Sequence, residues 1–183
     1  PWDGTPGVPR ARSGAVPFAT RQLADLGARV IKIERVGVGD FARQYESAVR
    51  GMSAHFVWLN RSKESLALDV KHPEAQQIVH HLLETADVFI QNLAPGAAER
   101  AGFGSAALRA RHPRLITCDV SGYGDSGPFR HMKASYFLIP CESGLASITG
   151  GDPAPGRVGG SVSDISVGLP ASPGSLEPHH AGA

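Results

Sequence analysis

Short β-branched runs that alternate with helical stretches constrain this chain most. Val30 to Ile33, Leu66 to Val70, Asp87 to Ile90 and Arg114 to Val120 each read as a short strand. Between them lie stretches with apolar residues at helical spacing. The first runs from Phe18 to Gly27 with Ala19, Leu23 and Leu26 in phase, and Gly27 offers a stop. The clearest begins at Pro73 and lines up Ala75, Ile78, Val79, Leu82, Leu83 and Ala86. Two shorter ones span Ala97 to Ala101 and Ser105 to Arg111. Parallel strands need a crossover between them, so this alternation predicts an α/β fold with a parallel sheet and flanking helices. Ligands of such sheets bind beyond the carboxyl ends of the strands. Those ends carry Glu34 and Arg35, then Asp69 to Lys71, then Gln91 to Gly96, then Ser121 to Gly127. Polar and glycine-rich residues thus collect on one predicted rim.

The 183 residues, 42% of them hydrophobic, suffice for one core but not two large ones. We expect an irregular segment over 1–15, one ordered unit over 16–168 and an irregular tail over 169–183, because both ends are rich in Pro, Gly, Ser and Ala. A net charge of +1 with acids and bases interspersed offers no basic stripe, so nucleic acid is not an expected partner. No apolar run reaches the roughly 18 residues of a membrane span, and Pro1 to Val16 lacks a secretory core, which predicts a cytoplasmic protein without membrane contact. Cys118 and Cys141 are expected to be reduced core thiols. His80 and His81 sit near the polar side of the long helix without partners at metal-ligand spacing. We expect them solvated, and expect no metal.

Individual strings then become recognisable. PFATRQLADLGARVIKIER with VGVGDFAR, NRSKESLALDVKHPEA, ADVFIQNLAPGAAERAGFG, HPRLITCDVSGYGDSGPFR, and ESGLASITG with VSDISVG resemble class III CoA-transferases of the CaiB/BaiF type, in the family's order. The resemblance covers Val16 to Gly168 and implies part of the family's large domain, with a Rossmann-like parallel sheet and flanking helices. It implies transfer of CoA between an acyl-CoA thioester and a carboxylic acid through an aspartyl-anhydride and an aspartyl-CoA intermediate. A nucleophile that must become first an anhydride and then a thioester has to be a carboxylate. The matching residue is Asp164, which in isolation would read as an Asx turn or helix cap. The resemblance also assigns CoA contacts to Arg35, Leu68, Asp69, Val70, Lys71, Asn92, Leu93, Ala94, Arg100 and Lys133. Coenzyme A enters as substrate, with no permanently bound cofactor, and relatives form interlocked homodimers. SGYGDSGP, Ser121 to Pro128, follows a strand but does not fit a dinucleotide fingerprint; the family reading is a loop beside the thiol arm of CoA. Glu142 is a candidate second carboxylate near the site.

Departures from the family pattern carry their own expectations. Lys133-Ala134-Ser135-Tyr136 displaces a tyrosine and an acid, and Pro140 predicts a bent or poorly formed helix. Ser135 stands where racemases of the superfamily need histidine, which disfavours racemisation. Pro9 to Gly14 replaces a family strand and turn, and family-like text can be written in an adjacent frame at both ends. Frameshifts and a truncated chain are therefore expected. The alternatives to an active transferase are an inactive CoA-binding remnant or pseudogene product and, more remotely, an NAD-dependent oxidoreductase.

Overall fold

The computed structural model describes residues 14–132, 138–151, 154–156 and 158–169. The first helix, α1, spans Ala15–Asp25 and buries Phe18, Ala19 and Leu23 along one face. It ends where Gly27 takes φ +99°, donating to Ala24 O at 3.0 Å while Ala28 N–H reaches Leu23 O at 3.0 Å. That paired closure needs a left-handed residue, which glycine supplies without a Cβ penalty. β1 follows at Ile31–Glu34. A 3₁₀ turn, Phe41–Gln44, is capped by the Asp40 carboxylate, and α2, Ala54–Asn60, by Ser53. β2, Glu64–Ala67, then pairs with β1 in parallel, from Ile31 opposite Glu64 to Glu34 opposite Ala67.

α3, Pro73–Leu83, starts on its proline, whose missing N–H is no loss in a first turn. β3, Val88–Gln91, and β4, Ile116–Asp119, form a second parallel ladder, with α4, Ala97–Arg100, and α5, Ser105–Arg111, in the crossover. The pairs β1–β2 and β3–β4 are hydrogen-bonded as two ladders. One core serves both. Val79, Leu83, Phe103, Leu108 and Leu115 form its centre, with Ile33, Leu68, Val70 and Phe89 packed against it. Each fully buried side chain of that size stabilises the fold by roughly 1.5–3 kcal/mol. Beyond β4 come α6, Leu138–Glu142, α7, Leu145–Ile148, and a helix over residues 162–169, here α8.

The α/β architecture with parallel strands and flanking helices is as the sequence predicts, but several details differ. β2 starts two residues and ends three residues earlier than expected, because Asp69 accepts Lys71 N–H at 3.1 Å and turns the chain where a longer strand would continue. Glu34 is buried, at 6% exposure, so only Arg35 of that pair surfaces. His80 is half-buried rather than solvated, 5.4 Å from the Phe103 ring and 6.2 Å from His112, and burial first, then the Arg111 and His112 charges, lower its pKa. Cys118 is a half-buried free thiol, whereas Cys141 is exposed. Pro140 falls in the first turn of the five-residue α6, where its missing N–H has no helical acceptor to forfeit. Lys133, Ser135 and Tyr136 lie outside the described residues, as does most of the two ends expected to be irregular. No helix among the described residues is long and apolar enough to cross a membrane.

Candidate active site

The rim beyond the strand ends is built from two turns. After β1 and β2, Leu68 N–H donates to Glu34 O at 2.9 Å, which sets the Leu68–Lys71 turn beside Arg35. Leu68 and Val70 direct their side chains into the core, so this turn offers a ligand its backbone. The Asp69 carboxylate is spent on its own turn, while the side chains of Arg35 and Lys71 stand exposed.

After β3, the Asn92–Ala94 segment is held by groups absent from the sequence-based assignment. Gln91 Oε1 accepts Leu93 N–H at 2.6 Å, and Gln91 Nε2 donates to Asp119 Oδ1 at 2.8 Å. Ser105 Oγ donates to the other oxygen of the same carboxylate at 2.5 Å. Leu93 keeps an exposed apolar side chain. Gly96 adopts φ +71°, and Arg100 folds back over it so that a Cβ at 96 would lie 2.8 Å from Nη1. Arg100 is thereby held over Gly96, two residues beyond Ala94. Lys133 is outside the described residues.

Asp164 lies in the first turn of α8. Its side chain packs on Gly14 at the start of α1: a Cβ on Gly14 would meet Asp164 Cβ and Cγ at 2.5 Å and its Oδ2 closer still. Gly168, one turn on, presses the same segment, where a Cβ would lie 2.7 Å from Ala15 O and 3.0 Å from Phe18 Cδ1. Two glycines on opposite sides of the contact thus let two helices meet at near-backbone distance. Burial raises the Asp164 carboxyl from its usual range to about 6. Among the described residues no cation or hydrogen-bond donor to it is recorded that would pull it back down. α1 leads into β1 through the short turn 26–30, and its first turn is held by Lys63 Nζ on Pro17 O at 2.7 Å.

A charged network beneath the rim escapes sequence reasoning. Glu34 accepts Arg43 Nε at 2.9 Å and Nη2 at 2.8 Å, Asp40 N–H at 2.8 Å and Ser65 Oγ at 2.9 Å. Burial alone would raise this carboxyl. The Arg43, Asp40 and Ser65 hydrogen bonds, with the charge of Lys32, outweigh it and hold the carboxyl at about 2. Lys32 pairs with Asp40 and donates to Asn60 Oδ1 at 3.0 Å. Lys63 reaches Pro17 O at 2.7 Å and Thr20 Oγ1 at 2.8 Å, and burial, reinforced by Lys32 and Arg21, lowers it to about 7. No local sequence pattern marks this network; Arg43 lies nine residues after Glu34. Glu142, the other candidate carboxylate, is exposed and accepts the Tyr123 hydroxyl at 2.6 Å, which ties the glycine-rich loop to α6.

Residues 9–177 match the model of CoA-transferase family III. The chain belongs to that family. Among curated proteins, this family III chain is 38% identical over 173 residues to succinyl-CoA:glutarate CoA-transferase of Mus musculus, covering 92% of the chain and 39% of that relative. It is 41% identical over 155 residues to acetyl-CoA:oxalate CoA-transferase of Acetobacter aceti, covering 84% of the chain and 40% of the relative. A crystal structure of a CaiB/BaiF family protein from Brucella suis superposes with a TM-score of 0.85 at 33% identity, over 91% of this chain and 46% of that one. The family III chain thus spans about two fifths of the length of these curated relatives.

Proposed function

We propose that this segment binds acyl-CoA along its rim and carries, in Asp164, the nucleophile that moves CoA from a thioester to a carboxylic acid. The supporting observation is one: Asp164 is a carboxylate withdrawn from water against Gly14, with no recorded charge partner among the described residues, in a chain of CoA-transferase family III. A desolvated carboxylate is a better nucleophile than a hydrated one, and a carboxyl near 6 is still mostly ionised at neutral pH. In this reading Asp164 attacks the thioester carbonyl, forming the Asp164–acyl anhydride and releasing the CoA thiolate. The thiolate then attacks the aspartyl carbonyl, expelling the donor carboxylate and leaving aspartyl-CoA. The acceptor acid attacks that thioester in turn, and the returning thiolate takes the acceptor acyl group, which regenerates Asp164. Arg35, Lys71 and Arg100 supply positive charge for the phosphates of CoA, and the Leu68–Lys71 and Asn92–Ala94 backbones line its path. Lys133 belongs to the same proposed set, and a second copy of this protein is the proposed partner.

Intact-mass analysis after incubation with succinyl-CoA tests this directly. A covalent CoA adduct that maps to Asp164 and disappears in Asp164→Ala is expected. CoA binding with no adduct under any acyl donor, or an adduct that persists in the variant, contradicts the assignment of the nucleophile.

A further inference from the structure

We propose that Gln91 and Asp119 are positioning residues that set the Asn92–Ala94 segment for acyl-CoA; this rests on the reading of that segment as a CoA contact. The β3–β4 register puts Gln91 directly opposite Asp119 at the carboxyl ends of both strands. A glutamine amide has two inequivalent ends, and only one orientation suits this place. Asp119 is acceptor-only and takes Nε2–H on Oδ1 at 2.8 Å, which turns Oε1 toward Leu93 N–H at 2.6 Å. Ser105 Oγ fixes the second carboxylate oxygen at 2.5 Å, anchoring the arrangement to the first residue of α5. Leu93 N–H is thereby consumed internally, and the segment leaves β3 on a single path toward Gly96 and the Arg100 guanidinium that lies over it. With the amide reversed, two donors would face each other at Leu93 and the segment would lose that anchor.

The chemistry allows an exchange that separates this role from ordinary packing. Gln91→Glu alone places two carboxylates at 2.8 Å, and Asp119→Asn alone removes one of the two acceptors that hold Gln91 and Ser105. In the double variant the new carboxylate at 91 accepts both Leu93 N–H and the new amide at 119, whose oxygen still accepts Ser105. Every hydrogen bond is restored with the same number of heavy atoms. Calorimetric titration of the whole chain with coenzyme A is the test, with Glu64→Gln at the amino end of β2 as a control expected to bind as wild type does. Asp119→Asn should weaken CoA about tenfold, Gln91→Glu more, and the double variant should return to within about threefold of wild type. Exchange of the Leu93 amide should rise in each single variant and fall again in the double. Wild-type binding with unchanged single variants, or a double variant no better than either single, overturns the proposal. Failure of the wild type to bind CoA at all sinks the ligand reading itself and takes the proposal with it.

Discussion

Glu34 and Asp164 are both carboxylates drawn away from water, and they titrate in opposite directions. Glu34 receives four hydrogen bonds and sits near a lysine, so its charge is cheaper to hold in the fold than in water and its carboxyl falls to about 2. Asp164 is pressed against a glycine, with no recorded donor among the described residues, and rises to about 6. Burial is common to both; partners are not. A carboxylate with saturated lone pairs is structural, since attack on a carbonyl would first have to break those bonds. One with free lone pairs destabilises the native state and is available for chemistry. This family III chain places the first type at the end of β1, under the Arg35 turn, and the second on α8 against the start of α1.

The largest effect should come from taking the partners' object away. Glu34→Ala leaves the Arg43 guanidinium, Ser65 and the Asp40 N–H without their acceptor, and should cost about 2–3 kcal/mol in urea unfolding. A loss well below that would mean the network is slack and that the contrast with Asp164 is overstated. Gly14→Ala comes next. Its backbone angles suit alanine, but the new methyl would overlap Asp164, so helix α8 must shift and about 1–3 kcal/mol should be lost.

Asp164→Asn should act in the opposite sense. Because the folded-state pKa of Asp164 lies above its ordinary value of 3.8, its contribution is full below that value and is lost as pH rises through about 6. The variant should therefore be more stable than wild type by ~1–2 kcal/mol at pH 7.5, after discounting for partial exposure, and no more stable below pH ~4. Glu34 gives the mirror image: its folded-state pKa is depressed, so its contribution holds above 4.5 and fades as pH falls toward 2. Denaturation midpoints across pH 3–8 check both. The smallest effect is expected for Glu64→Gln, which breaks the exposed Arg29–Glu64 pair and should leave the midpoint unmoved.

Much of this was legible in the residues. The long amphipathic α3, the β-branched β1 and the alternation that demands parallel strands all follow from periodicity, and the rim follows from where those strands end. α2 was not legible, because seven residues of mixed aromatic and polar character carry no clear period; caps from Ser53 and Glu46 hold it instead. The burial of Glu34 depends on Ser65, distant by 31 residues, and on Arg43 in a turn that has no sequence signature of its own. The Gln91–Asp119 pair becomes visible only once the β3–β4 register is known. The family motif proposes Asp164 as the nucleophile, but its setting was not legible, since a Gly14–Asp164 contact joins opposite ends of the described chain.

Carboxyl-carbon NMR titration of the folded chain, with Glu34→Gln and Asp164→Asn to assign the two resonances, measures the contrast itself. An Asp164 midpoint near 6 beside a Glu34 midpoint near 2 is the predicted result. Two ordinary midpoints close to 4, or an Asp164 depressed like Glu34, would contradict the account of Asp164 as the unpartnered, reactive carboxylate.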